Sequence, residues 1–237
     1  MISMLPLSAS GIEMFKAATI AELELCLAAG AREVLLAYPL VGPNRGRLVQ
    51  LATRYGDATV QFLADNEEVV TSLDRQCEEA GIELGVFLDF DCGMQRTGID
   101  SIAESLSLAA AVHESGSLRF SGVHAYDGHV RVASVEEREL IWDAAMDSVR
   151  RLVKALQESG LKVDAVVGGG SPTFGLHAAK QGWQCSPGTT GFSTRVYRSM
   201  RPGSNGAKSV YRCIQRSSSG SGESVPSLKL RSTWRSS

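Results

Sequence analysis

The sequence predicts an incomplete (β/α)8 TIM-type barrel of parallel strands followed by a disordered C-terminal tail. Three observations predict it. Between Ile12 and Thr190, short apolar runs rich in β-formers alternate with longer segments of helical period, the pattern of successive βαβ units. The short runs are nearly unbroken in hydrophobicity, as strands covered on both faces should be. Polar or glycine-rich residues follow strand after strand at the same end: Thr19, Tyr38-Pro39, Asp65-Asn66, Asp91 to Gly98, His124 to His129 and Gly168 to Thr173. An open doubly wound sheet shares the first two features, but convergence on one carboxyl rim, where barrel sites sit, favours the barrel.

In chain order, the run Ile12–Ala18 leads to a helical stretch Ile20–Ala29, and Gly30 sits just past it, where a left-handed cap costs glycine little. Glu33–Tyr38 precedes the stretch Asn44–Tyr55. Thr59–Ala64 precedes Glu67–Ala80, ended by Gly81. Glu83–Asp91 precedes Ser101–Glu114, and Leu118–His124 precedes the long Ser134–Ser159, ended by Gly160. Lys162–Val167 then runs into three glycines. Six strands are legible where a barrel has eight, so one or two are expected to be missing or disguised at the ends. The expected organisation is a barrel over residues 1–190 and a low-complexity tail over residues 191–237.

Composition narrows the function classes. A chain of 237 residues with 43% hydrophobic and 21% charged residues suits one large α/β domain and excludes wholesale disorder. No apolar run reaches the roughly 18 residues of a membrane span, and the start lacks the basic opening of a secretory signal, so a cytoplasmic protein without a membrane partner is expected. The five cysteines, Cys26, Cys77, Cys92, Cys185 and Cys213, include no Cys-x-x-Cys pair, which argues against a zinc site or disulfide framework. From Arg195 onward, nine Lys/Arg face a single acid, Glu223. Such a basic arm could bind nucleic acid, but it has no amphipathic period, and Ser217-Ser-Ser-Gly-Ser-Gly marks low complexity. Disorder without a nucleic-acid partner is the expectation.

Three motifs carry chemistry. Val166-Val-Gly-Gly-Gly-Ser-Pro-Thr ends a strand ahead of a predicted helix; glycines let backbone N–H groups approach an anion, so it reads as a phosphate cradle or as a plain tight turn. Asp89-Phe-Asp-Cys-Gly-Met-Gln-Arg-Thr-Gly sets two carboxylates at period two just before Arg96. That arginine could hold an oxyanion or a cofactor ring, or close the loop by pairing with Asp91. His124-Ala-Tyr-Asp-Gly-His concentrates imidazoles, a phenol and a carboxylate at a strand end, a density suited to proton transfer.

Ala17-Ala-Thr-Ile-Ala-Glu-Leu-Glu, Leu35-Leu-Ala-Tyr-Pro-Leu-Val-Gly-Pro-Asn, Asp91-Cys-Gly-Met-Gln-Arg-Thr-Gly, His124-Ala-Tyr-Asp-Gly-His, Gly168-Gly-Gly-Ser-Pro-Thr and Ser186-Pro-Gly-Thr-Thr occur in this order. Together they resemble the D-threonine aldolase/D-serine dehydratase-like family, with a barrel of the alanine racemase N-terminal type, over about Gly11 to Thr190. The resemblance implies pyridoxal 5'-phosphate in the barrel mouth, its phosphate held by Gly169, Gly170, Ser171 and Thr173. It implies Arg96 near the ring's phenolic oxygen, and catalytic His124 and Tyr126 on the substrate side. The substrate would be a small D-amino acid with a β-hydroxyl. Such enzymes either cleave Cα–Cβ to give glycine and an aldehyde, or eliminate water to give pyruvate and ammonia.

The chain departs from this pattern at both ends. The family's Schiff-base lysine lies in a Lys-Thr-His-Lys-like first strand, and the short segment before the Ala-Ala-Thr strand has no lysine. Lys16 falls one strand later and is not expected to substitute; Lys154, Lys162, Lys180, Lys208 and Lys229 lie on helices, at a strand start or in the tail. An inactive or nearly inactive chain is therefore expected, the alternatives being a non-catalytic pyridoxal-phosphate-binding protein and a sugar-phosphate-handling barrel using Gly168–Thr173. Beyond Pro187-Gly-Thr-Thr the family continues with a Val-Phe-x-Asp-Ala-Gly-like segment and a β-domain bearing a divalent metal pair. Here Gly191-Phe-Ser-Thr-Arg-Val stands instead, a stretch that suitable codons would convert to Val-Phe-Asp-Ala-Gly in a shifted frame. The expectations are a frameshift near Thr190, no metal site and no stable family-type homodimer.

Overall fold

The computed structural model describes residues 14–178 and 183–186. Seven strands alternate with six helices there: β1 Met14–Ala17, α1 Ile20–Ala28, β2 Glu33–Leu36, α2 Asn44–Arg54, β3 Thr59–Ala64, α3 Glu67–Ala80, β4 Leu84–Asp89, α4 Ile102–Glu114, β5 Leu118–Ala125, α5 Val135–Glu158, β6 Ala165–Gly168, α6 Phe174–Ala178 and β7 Trp183–Cys185. The strands form one sheet in sequence order, and every neighbouring pair is parallel. A doubly wound sheet must reverse its order at a switch point. No reversal occurs here, so the sheet curls in one sense into a half-barrel with its helices outside.

Period two divides every strand between two environments. Ala17, Val34, Leu36, Val60, Phe62, Ala64, Val86, Leu88 and Val123 pack outward with the helices in the main core. Leu35, Leu63, Phe87, Ala165 and Val167 form a second, smaller cluster on the concave face. Helix starts follow local chemistry. The side chains of Thr19, Asn66, Ser101 and Ser134 accept from the backbone N–H of Glu22, Val69, Glu104 and Glu137, satisfying amides that a helix leaves unpaired. Gly81 ends α3 at φ 64°, as its place just past the helical pattern predicts.

Two features of the fold were not legible. The register slips between Val86 and Phe87 where β4 meets β5, and Gly122 opposite adopts φ 146° with its missing Cβ position 2.0 Å from the Ala165 carbonyl oxygen. Only glycine fits there. The seventh strand, Trp183–Cys185, has three half-buried residues, too few for a visible period. The tail, the Gly191–Val196 stretch and the frameshift expectation lie outside the described residues. Among the described residues no helix is long and apolar enough to cross a membrane, and no group of three or more His, Cys, Asp or Glu side chains is placed to hold a metal ion.

Candidate active site

β1, β4 and β5 bring the chemistry together on the concave face. Phe15 and Ala17 pack towards the helices, so the alternation turns Lys16 inward. Its Nζ lies 3.4 Å from Nε2 of His124 and 5.7 Å from the centre of the Tyr126 ring. His124 is 3% exposed, and its Nδ1 lies 2.8 Å from Oδ1 of Asp89, which is 4% exposed. The Thr97 hydroxyl donates to Oδ2 of the same carboxylate at 2.8 Å.

Protonation follows from this arrangement. Burial would raise the Asp89 pKa, but hydrogen bonds from His124 and Thr97 and the cationic charge of Arg96 leave it below the ordinary carboxylate value. Burial lowers the His124 pKa, assisted by the cations Lys16 and Arg96 and opposed by Asp89. His124 is therefore neutral at pH 7. An ionised carboxylate only accepts, so the single imidazole proton sits on Nδ1 and the Nε2 lone pair faces Lys16. Crowding by protein atoms brings the Lys16 pKa down from 10.5 to about 8; Asp89 and Asp127 oppose this and Arg96 assists. Solvent nonetheless reaches Lys16 from the open side, since the residue is exposed.

Arg96 sits at the mouth with its guanidinium carbon 5.3 Å from the Tyr38 ring centre and 5.1 Å from that of Tyr126. It stacks between two phenols instead of pairing with Asp91. Asp91 spends its carboxylate on the loop, accepting from the Gly93 N–H at 2.9 Å and from the Gln95 N–H at 2.9 and 3.1 Å. The two carboxylates thus part company, Asp89 entering the interior and Asp91 folding the loop. The His124–His129 cluster divides as well: His129 is exposed beside Gly93, while Asp127 is buried beneath the glycine loop.

Asp127 governs the glycine loop. Its Oδ1 accepts from the Gly170 N–H at 2.7 Å, and its Oδ2 lies 2.7 Å from Nε2 of the fully buried His177. Trp142 packs edge-on against that imidazole, and Trp183 stacks on its face. Gly169 donates to the Ala125 carbonyl at 3.4 Å, and Thr173 Oγ1 bonds the Gly170 carbonyl at 3.1 Å. Two N–H groups that the sequence assigns to an anion are therefore engaged within the protein, and Ser171 is the half-exposed hydroxyl of the loop. Sequence reasoning missed Asp127, His177 and Trp142 as its anchors. It set Lys16 aside, although the Phe-Lys-Ala alternation was a signal for an inward amine.

The alanine racemase N-terminal domain model matches residues 1–195. A 3-hydroxy-D-aspartate aldolase from Paracoccus denitrificans (strain Pd 1222) is 31% identical over 157 residues, covering 65% of this chain and 40% of that protein. A D-threonine aldolase from an Arthrobacter species is 27% identical over 154 residues, again 65% of this chain and 40% of that protein. The crystal structure of D-threonine aldolase from Filomicrobium marinum matches with a TM-score of 0.73 and 26% identity, covering 81% of this chain and 52% of that one. The chain spans about two-fifths of the length of these curated relatives. With the family match running over most of its length and the half-barrel beneath it, the chain belongs to the alanine racemase N-terminal domain family.

Proposed function

We propose that the barrel mouth holds pyridoxal 5'-phosphate and serves a lyase reaction on β-hydroxy-D-amino acids, by retro-aldol cleavage to glycine and an aldehyde. The observation that carries this reading is the convergence of an amine, an aromatic-flanked guanidinium and a buried carboxylate–imidazole pair on one face of this family's barrel. The donor set fits the cofactor. Arg96 offers a cation to the phenolic oxygen at the ring edge, and Tyr126 offers an aromatic wall. The loop of Gly169, Gly170, Ser171 and Thr173 would serve the phosphate end mainly through the half-exposed Ser171, since the Gly169 and Gly170 N–H groups bond the Ala125 carbonyl and Asp127. When bound, the cofactor supplies the electron sink for carbanion chemistry.

The chain's own residues supply the proton chemistry. Cleavage requires removal of the proton from the substrate's β-hydroxyl, and the neutral His124 offers a basic Nε2 for it. Asp89, bonded to Nδ1, stabilises the imidazolium that results, as a carboxylate does for a buried catalytic histidine. Dehydration would instead need an acid at that hydroxyl, and the depressed His124 pKa favours the base. Tyr126 lines the same side, its ring centre 5.7 Å from the Lys16 amine.

The test is direct. The purified full chain is dialysed with pyridoxal phosphate, its retained cofactor measured, and glycine followed with D-threonine as substrate. Retention with glycine release is the expected result, and Arg96→Ala should weaken retention about tenfold, the loss of one charge-assisted contact. Retention without glycine release would reduce the protein to a cofactor-binding one, and no retention would reject the reading.

A further inference from the structure

Resting on the reading that the glycine loop meets the cofactor's phosphate, we propose that Arg138 is the buried cation that fits this loop for an anion. Arg138 stands in the first turn of α5, on the helical side of the sheet, and is 6% exposed. Its Nε donates to the Val132 carbonyl at 2.9 Å, its Nη2 to the Ala133 carbonyl at 2.9 Å and its Nη1 to the Pro172 carbonyl at 3.3 Å. All three acceptors are neutral. Among the described residues Arg138 forms no ion pair, whereas Arg45, Arg75, Arg119 and Arg150 each meet a carboxylate. A guanidinium stays charged in a protein, and burying it without a counter-anion costs stability. Carbonyls can be satisfied by neutral donors, so the hydrogen bonds alone do not account for the charge.

The position of Arg138 does account for it. Pro172 lies inside the glycine loop, between Ser171 and Thr173. Arg138 draws the Pro172 carbonyl oxygen towards α5, and Thr173 Oγ1 bonds the Gly170 carbonyl, so two oxygens that would repel a phosphate are occupied within the protein. The loop needs that help. Its Gly169 and Gly170 N–H groups are bonded to Ala125 and Asp127, and the Asp127 carboxylate adds negative charge at its base. A hydroxyl such as that of Ser171 is a weak anchor for a dianion, whereas a cation fixed behind the loop, away from water, attracts it without touching it. Arg138 is in this sense a positioning residue. Val132 and Ala133 belong to the connection from β5 to α5, so the same guanidinium also joins the segment that follows the His124–His129 cluster to the glycine loop.

The experiment uses the full chain with pyridoxine 5'-phosphate and pyridoxine as probes. Neither carries an aldehyde, so neither labels surface lysines, and the two differ only in the phosphate. Equilibrium dialysis of the wild type, Arg138→Lys and Arg138→Gln gives the preference of each for the phosphorylated probe. Arg138→Gln should lower the wild-type preference about tenfold, the order expected for one fixed charge acting through protein. Arg138→Lys keeps the charge on a different donor group and should hold the preference within about threefold. Affinity for pyridoxine should be nearly unchanged in both. Equal loss for the two probes, or an unchanged preference, makes Arg138 a staple between two segments and overturns the proposal. Should Arg138→Gln fail to fold, NMR of the wild type decides. The Arg138 Nε–H resonance, identified by its absence from the Arg138→Lys spectrum, should move with pyridoxine 5'-phosphate and stay in place with pyridoxine; a resonance that ignores the phosphate overturns the proposal. If the wild type takes up neither probe, the cofactor reading falls and inorganic phosphate tests Arg138 separately. A melting temperature raised by phosphate over chloride at equal ionic strength in the wild type, but not in Arg138→Gln, supports the proposal; an equal or absent response overturns it.

Discussion

Asp89 and His124 were each visible in the sequence, but their partnership was not. Strand period two puts Asp89 and Asp91 on one face, and it is the chain's exit into the Cys92–Gly98 loop that separates them. His124 reaches Asp89 because β4 and β5 are neighbours in register, a relation between strands that a linear pattern does not contain. Lys16 was legible in position only: the alternation turns it inward, while the distance to His124 shows what it meets. Removing the imidazole therefore has two consequences. His124→Ala should slow glycine release on the order of 10²–10⁴-fold, the usual loss for a positioned base. It should also cost roughly 2–4 kcal/mol in denaturant unfolding, because Asp89 stays buried with Thr97 as its remaining donor. Unchanged single-turnover rates in a folded variant would remove His124 from the mechanism.

At the scale of elements, regular stretches were legible and contacts between them were not. The helices followed their caps and apolar faces to within a residue or two, since these signals are local. The bulge between β4 and β5 depends on how two strands pass, and so does its glycine. Gly122→Ala would push a methyl group into the Ala165 carbonyl at a φ that alanine resists. About 3 kcal/mol or more of destabilisation is expected, with Gly116→Ala, whose added methyl meets open space, as the control. The glycine loop presents the second case. Asp127 ties Gly170 to His177 across 43 and 50 residues of sequence, so no local motif could announce it. Asp127→Ala removes the carboxylate partner of a buried imidazole and the shorter of the two acceptors of the Gly170 amide, leaving Trp142 and Thr173 as their remaining contacts, an expected loss of about 2–3 kcal/mol by chemical denaturation. A loss under 1 kcal/mol would mean that the loop is held by other contacts.

For the whole molecule, the strand order was the decisive fact, and the rim of polar residues had already pointed to it. Outer and inner faces of the sheet have different duties: the outer one carries the stability in its contact with the helices, and the inner one carries the polar cluster at some cost. That cost is measurable through pH. Lys16 has a lowered folded-state pKa, about 8 against 10.5, so between those values the unfolded chain holds a proton that the folded chain has released. Stability must rise with pH across that window, and the penalty of the ammonium is fully present below it. A sheltered shift of this size would be worth about 3 kcal/mol; solvent reaching the amine reduces it to roughly 1 kcal/mol. Lys16→Met removes the charge and keeps much of the side-chain volume. Its melting temperature should exceed the wild type by about 2–4 °C at pH 7, the effect of ~1 kcal/mol on a domain of this size. The advantage should shrink steadily from pH 8 to pH 10.5, as the wild-type amine becomes neutral in both states. A difference that stays constant with pH, or grows, would show that Lys16 pays no electrostatic penalty where it stands and would leave its amine an ordinary surface one.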